Sequence, residues 1–362
     1  MKSIKKLYNE NSDKFTTYLL VIIAFVVSQV MVSTGMASNK FEGLLVPICV
    51  NILLAISLNL VVGISGELSL GHAGFMCVGA FVGSLFSVVT AETFASAWIR
   101  FPLALILGGL IAGLVGFLVG IPVLKLRGDY LAIVTLAFGE IIKNICNNIY
   151  LAYDKNGMFF SLSSEAYGSH TFDIATKKDL IKGAQGITGS PSDSKLWICF
   201  IVIMVALFVM FNLINSKTGR SIMASRDNRI AAEAMGINVT RSKMIAFVVS
   251  SFFAGVAGVL YSHNLYTLTA SKFDYNQSIL ILVYVVLGGM RSMKGAVIAA
   301  IILYALPELL RGLADYRMLL YSIVLIAMML LNNNEKFKTF LKKISVKFLS
   351  LIKKNKKEGG NV

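Results

Sequence analysis

Long apolar runs alternate with short polar segments along most of the chain. The first apolar run, from Phe15 to about Ser33, exceeds the roughly 7–15 residues of a signal-peptide core, so it predicts a retained span rather than cleavage near Gly35. A membrane helix needs roughly 20 residues. Nine further runs fit this role: Gly43–Val62, Leu70–Thr90, Phe101–Val123, Tyr130–Tyr150, Leu196–Ile214, Met244–His263, Gln277–Gly289, Gly295–Arg311 and Met318–Leu331. The pattern therefore predicts about ten transmembrane helices.

Composition changes this picture little. Of the 362 residues, 56% are hydrophobic and only 15% are charged, which is less charge than a soluble domain carries. The net charge of +15 would suit a nucleic-acid-binding protein, but the basic residues lie between the apolar runs and at the chain ends. That distribution is typical of a membrane protein and argues against nucleic acid. The cysteines lack the spacing of metal ligands and are interpreted as small hydrophobic residues: Cys49, Cys77, Cys146 and Cys199.

The distribution of Lys and Arg predicts the orientation. With an inside N-terminus, the inner segments hold more than twice as many of these residues as the outer segments. The positive-inside rule therefore places both termini in the cytoplasm. The expected fold is an all-α polytopic membrane protein. It has a basic N-terminus (1–14), a transmembrane domain (15–331) and a lysine-rich cytoplasmic tail (332–362) that lies on anionic lipid.

Two long polar segments interrupt the apolar pattern. Residues 151–195 form a neutral external loop, which is either a docking surface or a mobile connection. The cytoplasmic segment 215–243 predicts one short amphipathic helix from Ser216 onward that Gly236 ends. One face of this helix holds Met223, Ile230, Ala234 and Ile237, and another holds Arg226, Arg229 and Glu233.

A glycine-rich polar stretch, GISGELSLGHAGFMCVGAFVG, runs from Gly63 to Gly83. Its glycines interrupt a helix where four polar side chains cluster, namely Ser65, Glu67, Ser69 and His72. In lipid, irregular backbone is tolerated only where protein or a water-filled cavity surrounds it, and half-helix ends can face a polar solute. A tight turn followed by a closely packed helix explains the pattern equally well, because Gly79 and Gly83 have the spacing of a helix-packing motif.

Charged residues also occur in and beside the run 130–150. A charge at mid-membrane costs about 2.5–3.5 kcal/mol, so Glu140 is expected to face protein or water. Lys143 lies one turn later, which favours a structural ion pair over a proton relay. Arg127 and Asp129 flank Gly128 and have the spacing for a local pair.

Motifs for chemistry are absent from the sequence. The Gly/Ser-rich turns 183–192 and 287–296 expose backbone amides, but the phosphate-binding pattern G-x-x-x-x-G-K-[ST] occurs nowhere in the chain. If ATP drives this protein, it is hydrolysed on another polypeptide. Catalytic triads, zinc-ligand spacing and paired catalytic carboxylates do not stand out either. The sequence therefore predicts neither an enzyme site nor a cofactor site.

Several stretches, taken in order, resemble the LivM-type permease subunit of branched-chain amino-acid ABC importers. They are GISGELSLGHAGF (Gly63–Phe75), LRGDYLAIVTLAFGEII (Leu126–Ile142), SRDNRIAAEAMGIN (Ser225–Asn238), FFAGVAGVLYSH (Phe252–His263) and VLGGMRSMKGA (Val286–Ala296). The resemblance implies a permease in the bacterial plasma (inner) membrane that pairs with a sister, LivH-like permease. Two separate ATP-binding subunits and an external solute-binding protein, which delivers leucine, isoleucine or valine, would complete the importer.

The resemblance also implies site residues. The sequence Glu-Ala-x-Gly is similar to the family's ATPase-coupling loop, so coupling is expected at Arg226, Arg229, Ile230, Ala232, Glu233, Ala234 and Gly236. Ile230, Ala234 and Ile237 are expected to pack on the partner or the permease base, inside a charged rim of Arg226, Arg229 and Glu233. The translocation path is expected near Ser65, Gly66, Ser69, Gly71, His72, Gly74 and Glu140.

Two departures and two alternatives accompany the resemblance. Arg291 stands where many relatives have glycine, and the external loop matches poorly outside Gly183–Ser192. Urea and other small-solute importers use similar permeases, which leaves the substrate open. An ion-coupled secondary transporter is the alternative from another class, with Glu140 as its candidate ion site.

Overall fold

Helices make up most of the computed structural model, which describes residues 2–35, 39–91, 96–126, 128–154, 157–169, 178–310, 316 and 319–326. The chain divides into two compact units, Met1–Ile302 and Leu303–Val362. The helices are α1 (Lys2–Ser33), α2 (Asn39–Asn59), α3 (His72–Val89), α4 (Ala97–Val123), α5 (Asp129–Asn148), α6 (Ser164–Ser169), α7 (Leu196–Asn215), α8 (Lys217–Asp227), α9 (Arg229–Ala234), α10 (Val239–Ser262), α11 (Tyr275–Gly288) and α12 (Met293–Leu309). In the second unit, residues 319–326 are also helical.

Six described helical segments are long and apolar enough to cross a membrane. They are Lys14–Ser33, Phe41–Ser65, His72–Val89, Ala97–Val123, Leu196–Asn215 and Val239–Ser262, and each overlaps a predicted run. Three other predicted runs are helical but shorter or more polar: α5 carries Glu140, Lys143 and three asparagines, α11 has 14 residues and α12 has 17. Residues 319–326 of the tenth run are helical, whereas the rest of that run, Arg127 and the tail lie outside the described residues. The chain is a multi-pass membrane protein.

Small residues allow the helices at the centre of the first unit to approach closely. α10 packs most extensively against α4 and α3. A Cβ added to Gly79 of α3 would lie 2.2 Å from the carbonyl oxygen of Gly255 on α10, and one on Gly83 would lie 2.6 Å from Val259. In lipid, where apolar side chains gain little by leaving the solvent, such close backbone packing contributes to helix association. The predicted packing role of Gly79 and Gly83 is confirmed.

The loop between α5 and α7 contains one small sheet and one strand of a second, and the all-α prediction included neither. Strands β1 (Tyr150–Asp154), β2 (Gly157–Ser161) and β3 (Lys178–Lys182) form an antiparallel sheet in the order β2-β1-β3. β4 (Ile187–Thr188) pairs with β5 (Thr267–Leu268), which follows α10. Outside lipid, water can satisfy the exposed edges of short strands, so helices are not obligatory there. The fold is therefore mostly helical.

An ion pair holds the end of this loop to the transmembrane helices. The Arg100 Nη2 atom of α4 lies 2.8 Å from the Asp193 Oδ2 atom just before α7, and both side chains are mostly buried. At Gly186, a Cβ would lie 1.8 Å from the carbonyl oxygen of Leu268, so the loop also approaches the connection after α10 closely. The described parts of the loop thus have their own secondary structure and fixed attachments.

Candidate functional site

The segment between α2 and α3, residues 60–71, is a break in the helical path. After Asn59 the helix widens into a π-helical turn, Leu60–Ser65, which ends at Gly66 in a left-handed conformation (φ 76°). A Cβ on Gly66 would lie 2.4 Å from the Cγ atom of Arg226, so both the backbone angle and the close contact require glycine. The remaining residues are non-helical up to Gly71. The predicted interruption of the helix is confirmed.

α5 packs directly against the break. The backbone N–H of Leu70 donates a hydrogen bond to the Thr135 Oγ1 atom (3.0 Å). A Cβ on Gly71 would lie 2.3 Å from the carbonyl oxygen of Thr135, and one on Gly74 would lie 2.7 Å from the Cα atom of Gly139. Gly71 and Gly74, two of the three glycines expected along the path, therefore allow close helix packing, as the interpretation of this stretch as a turn and a closely packed helix requires.

Polar side chains of the break are buried within the chain. His72 forms a hydrogen bond through its Nε2 atom with the Ser57 Oγ atom (2.8 Å). The hydroxyl groups of Ser65 and Ser69 are buried and have no hydrogen-bond partner among the described residues. A buried polar group without a partner costs about 1–3 kcal/mol, so such groups call for an explanation other than stability. Polar groups are thus available at the break, as the interpretation that its half-helix ends face a polar solute requires.

Glu140, the seventh expected path residue, lies on α5 and forms an ion pair with Lys143. The backbone N–H of Tyr275 also donates to the Glu140 Oε1 atom (3.2 Å) at the start of α11. The structural ion pair predicted from the sequence is therefore confirmed. Among the described residues, no group of three or more His, Cys, Asp and Glu side chains is arranged to hold a metal ion.

The segment 215–243 contains two short helices, α8 and α9, and not the single predicted helix. Asn228 between them is extended (φ −153°, ψ 106°), and its side chain accepts a hydrogen bond from the backbone N–H of Ala231 (3.0 Å). Asparagine is a favoured N-cap, so a new helix begins here. Met223 therefore lies on a different helix from Ile230 and Ala234, and the single apolar face does not form. Gly236 follows α9 in the left-handed conformation (φ 78°), as expected for a helix end.

α9 has an apolar surface that the described part of the chain leaves exposed. The side chains of Ile230 and Met235 are 80% and 82% exposed, and Ala234 is exposed beside them. The Arg229 Nε atom donates to the Glu233 Oε1 atom (2.8 Å) along one side of the helix. Ala232 is buried and faces the chain. The sequence interpretation omitted Met235, because it follows the last helical turn.

Arg226 connects α8 to the break and does not lie in the expected charged rim. Its side chain is only 14% exposed, and its Nη1 atom donates to the carbonyl oxygens of Gly63 (3.1 Å) and Ile64 (3.3 Å). Carbonyls at the end of a helix lack helical partners, which makes them good acceptors for a guanidinium group. The hydrogen bond and charge of Arg226 also lower the pKa of the Asp227 carboxyl, so Asp227 stays ionised at neutral pH.

A second contact joins the break to the same segment, 215–243. Lys243 at the start of α10 forms an ion pair with Glu67, and the two side chains are only 13% and 12% exposed. Sequence reasoning did not find this pair, because its members lie 176 positions apart. One signal was available, since Glu67 is the only acidic residue between Glu42 and Glu92.

Arg291, in the turn between α11 and α12, adopts a left-handed conformation (φ 77°) that glycine takes without strain. Its backbone N–H donates to the Asn59 Oδ1 atom (3.3 Å) where the π-helical turn begins. The arginine thus occupies a position suited to glycine, and its turn also contacts the break.

Comparison with known proteins gives matches that agree with one another in naming permease components of branched-chain amino acid transport. A family described as "Branched-chain amino acid transport system / permease component" matches residues 41–332. The "High-affinity branched-chain amino acid transport system permease protein LivM" of Salmonella typhimurium is 34% identical over 264 residues, or 71% of this chain and 60% of that protein. The protein of the same name from Escherichia coli is 35% identical over 263 residues, with the same coverage. A "Probable branched-chain amino acid transport permease protein LivM" from Methanocaldococcus jannaschii is 27% identical, over 59% of this chain and 57% of its own length.

The aligned region spans about 60% of the length of the first two relatives. Within this chain, however, the family match includes the break, α5, the segment 215–243 and the Arg291 turn. These are the elements that the contacts described above bring together. The chain therefore belongs to the family of permease components of branched-chain amino acid transport systems.

Proposed function

We propose that the chain is a permease subunit of a bacterial ABC importer and forms, with a sister permease, the translocation pathway for leucine, isoleucine and valine. The family match and the names of the LivM relatives support this assignment. The observation that carries the mechanism is the double attachment of the break to the cytoplasmic segment, through Arg226 and Lys243. The full subunit crosses the plasma membrane about ten times, and both of its termini face the cytoplasm.

The mechanism begins at α9. Its exposed apolar surface docks in one of two separate ATP-binding subunits, while Arg229 and Glu233 form the rim of the contact. Nucleotide-driven movement of that subunit shifts α8 and α9. Arg226 and Lys243 transmit the shift to the break, because they hold its carbonyls and its only carboxylate. The half-helix ends at residues 65–72 then rearrange beside the path.

Other parts of the importer follow from the same proposal. An external solute-binding protein delivers the amino acid to the outer surface, where the loop 151–195 carries its small sheet. ATP is hydrolysed on the separate subunits, since this chain has no phosphate-binding loop. The permease itself binds no cofactor.

Reconstitution tests this function. We expect labelled leucine to enter proteoliposomes only when the chain, its sister permease, both ATP-binding subunits, the solute-binding protein and ATP are all present. Omission of ATP is the matched control. An excess of unlabelled isoleucine should compete, whereas an excess of urea should not. Uptake by this chain alone, driven by an ion gradient, would instead identify a secondary transporter, and competition by urea would change the substrate class.

A substitution in α9 tests the coupling surface. Ile230→Asp places a charge at the centre of the exposed apolar surface and should weaken binding of the ATP-binding subunits about 30-fold, the effect of losing a contact worth about 2 kcal/mol. The fold should be unaffected, because the Ile230 side chain is 80% exposed. The measurement is the affinity of the purified ATP-binding subunits for the permease pair in detergent.

The matched control is Tyr266→Asp. Tyr266 is 78% exposed and follows the opposite end of α10, a helix of 24 residues and therefore about 36 Å long. This variant should bind the ATP-binding subunits normally. Equal affinity in the two variants would show that α9 is not the coupling surface.

A further inference from the structure

A basic cavity of about 410 Å³ lies beside the break, and the proposed transport mechanism makes no use of it. Its walls come from α1, the π-helical turn, α7, α8, the turn before α12 and the first residues of α12. Four of its lining residues are basic: Lys14, Arg220, Arg291 and Lys294. The described lining residues include no Asp or Glu. The cavity therefore concentrates positive charge from four separate positions in the chain.

The cavity lies at a membrane boundary. Lys14 begins one candidate span, Ile64 is in the last turn of a second, and Asn215 ends a third. Apolar side chains, including Phe211 and Ile214 near the end of α7, share the lining with the basic residues. A ligand of this site can therefore place an anionic group among the cations and an apolar part along the helices.

Contacts within the wall hold part of this charge in place. The Arg220 Nη1 atom donates to the carbonyl oxygen of Asn215 (3.0 Å), which fixes the guanidinium group at the end of α7. The Arg291 Nη2 atom lies 3.9 Å from the Asp227 Oδ1 atom, and both side chains are more than 60% exposed. An exposed pair at this distance is weak and screened by solvent, so it leaves Arg291 available to an anion.

We propose that this cavity binds the phosphate group of an anionic phospholipid, with the acyl chains against the apolar wall. Phosphate oxygens accept strong charge-assisted hydrogen bonds from guanidinium and ammonium groups. Basic pockets between transmembrane helices are suited to anionic lipid head groups. Inorganic phosphate shares the same chemistry, but it gains nothing from the apolar wall. The location at the ends of three spans therefore favours the lipid.

Native mass spectrometry of the purified full-length chain tests the proposal. The probes are phosphatidylglycerol, phosphatidylcholine and inorganic phosphate, each titrated separately. Phosphatidylglycerol should bind at one saturable site, and the other two probes should not. The double variant Lys14→Gln/Arg220→Gln should bind phosphatidylglycerol about 30-fold more weakly, which corresponds to about 1 kcal/mol for each lost basic contact.

The control variant, Lys125→Gln/Arg241→Gln, removes the same charge. Lys125 and Arg241 line a different cavity, of about 630 Å³, that has only these two basic residues in its described lining. This variant should retain the saturable site. An equal loss of phosphatidylglycerol binding in both variants would show that the effect depends only on net charge, and it would overturn the proposal. Equally tight binding of inorganic phosphate would overturn the lipid assignment in favour of a free anion, and equal binding of phosphatidylcholine would exclude recognition of an anionic head group.

Discussion

Lys243→Glu is expected to destabilise the folded chain by about 3–5 kcal/mol. Lys243 and Glu67 are both almost buried, so removal of the lysine leaves an uncompensated carboxylate, and the new glutamate adds a like charge next to it. The free energy of unfolding, measured by denaturant titration in mixed micelles, gives the effect. The double variant Glu67→Lys/Lys243→Glu re-forms the pair in reverse and should recover more than half of the lost stability.

An exposed ion pair in the same segment, 215–243, provides the control for Lys243→Glu. Arg229 and Glu233 are 36% and 50% exposed, and solvent screens their attraction. Arg229→Glu should therefore cost less than about 1 kcal/mol. If the two single variants lower the free energy of unfolding by the same amount, burial does not strengthen the Glu67–Lys243 contact. If the double variant recovers nothing, the loss in Lys243→Glu arises from other contacts of that residue.

The parts of the site that the sequence predicted are those set by neighbouring residues. Gly66 and the polar residues around it interrupt the helix through local backbone geometry. Glu140 and Lys143 are one turn apart, so their pairing follows from helix periodicity. The end of α9 at Gly236 depends on one left-handed residue. None of these features requires knowledge of how distant segments pack.

The parts that the sequence did not predict depend on distant contacts or on a competing local preference. Arg226 was expected on the surface because arginine is usually exposed, but carbonyls 163 and 162 positions away accept its hydrogen bonds. The split between α8 and α9 has a local cause, since Asn228 caps a new helix where the apolar pattern indicated continuity. The number of spans also remains a prediction, because α11 is too short to be recognised as a span by its length.

Gly79→Ala is expected to destabilise the chain by about 3 kcal/mol, at the upper end of the usual cost of overpacking. The added Cβ would lie 2.2 Å from the carbonyl oxygen and 2.3 Å from the Cα atom of Gly255. These are backbone atoms and cannot rotate away, so α3 and α10 would have to separate. Because α10 packs against both α3 and α4, the separation would also loosen the second of these contacts. The measurement is the free energy of unfolding in mixed micelles.

Gly43→Ala is the matched control, because both substitutions add one methyl group within a helix. A Cβ on Gly43 of α2 would have no atom within 4 Å, so only the backbone preference of alanine for helix should act, and stability should stay equal or rise by up to about 1 kcal/mol. A loss confined to Gly79→Ala would attribute the cost to the α3–α10 contact. A similar response in both variants would mean that the two helices can separate freely, and α10 could then not transmit movement from Lys243 to the centre of the chain.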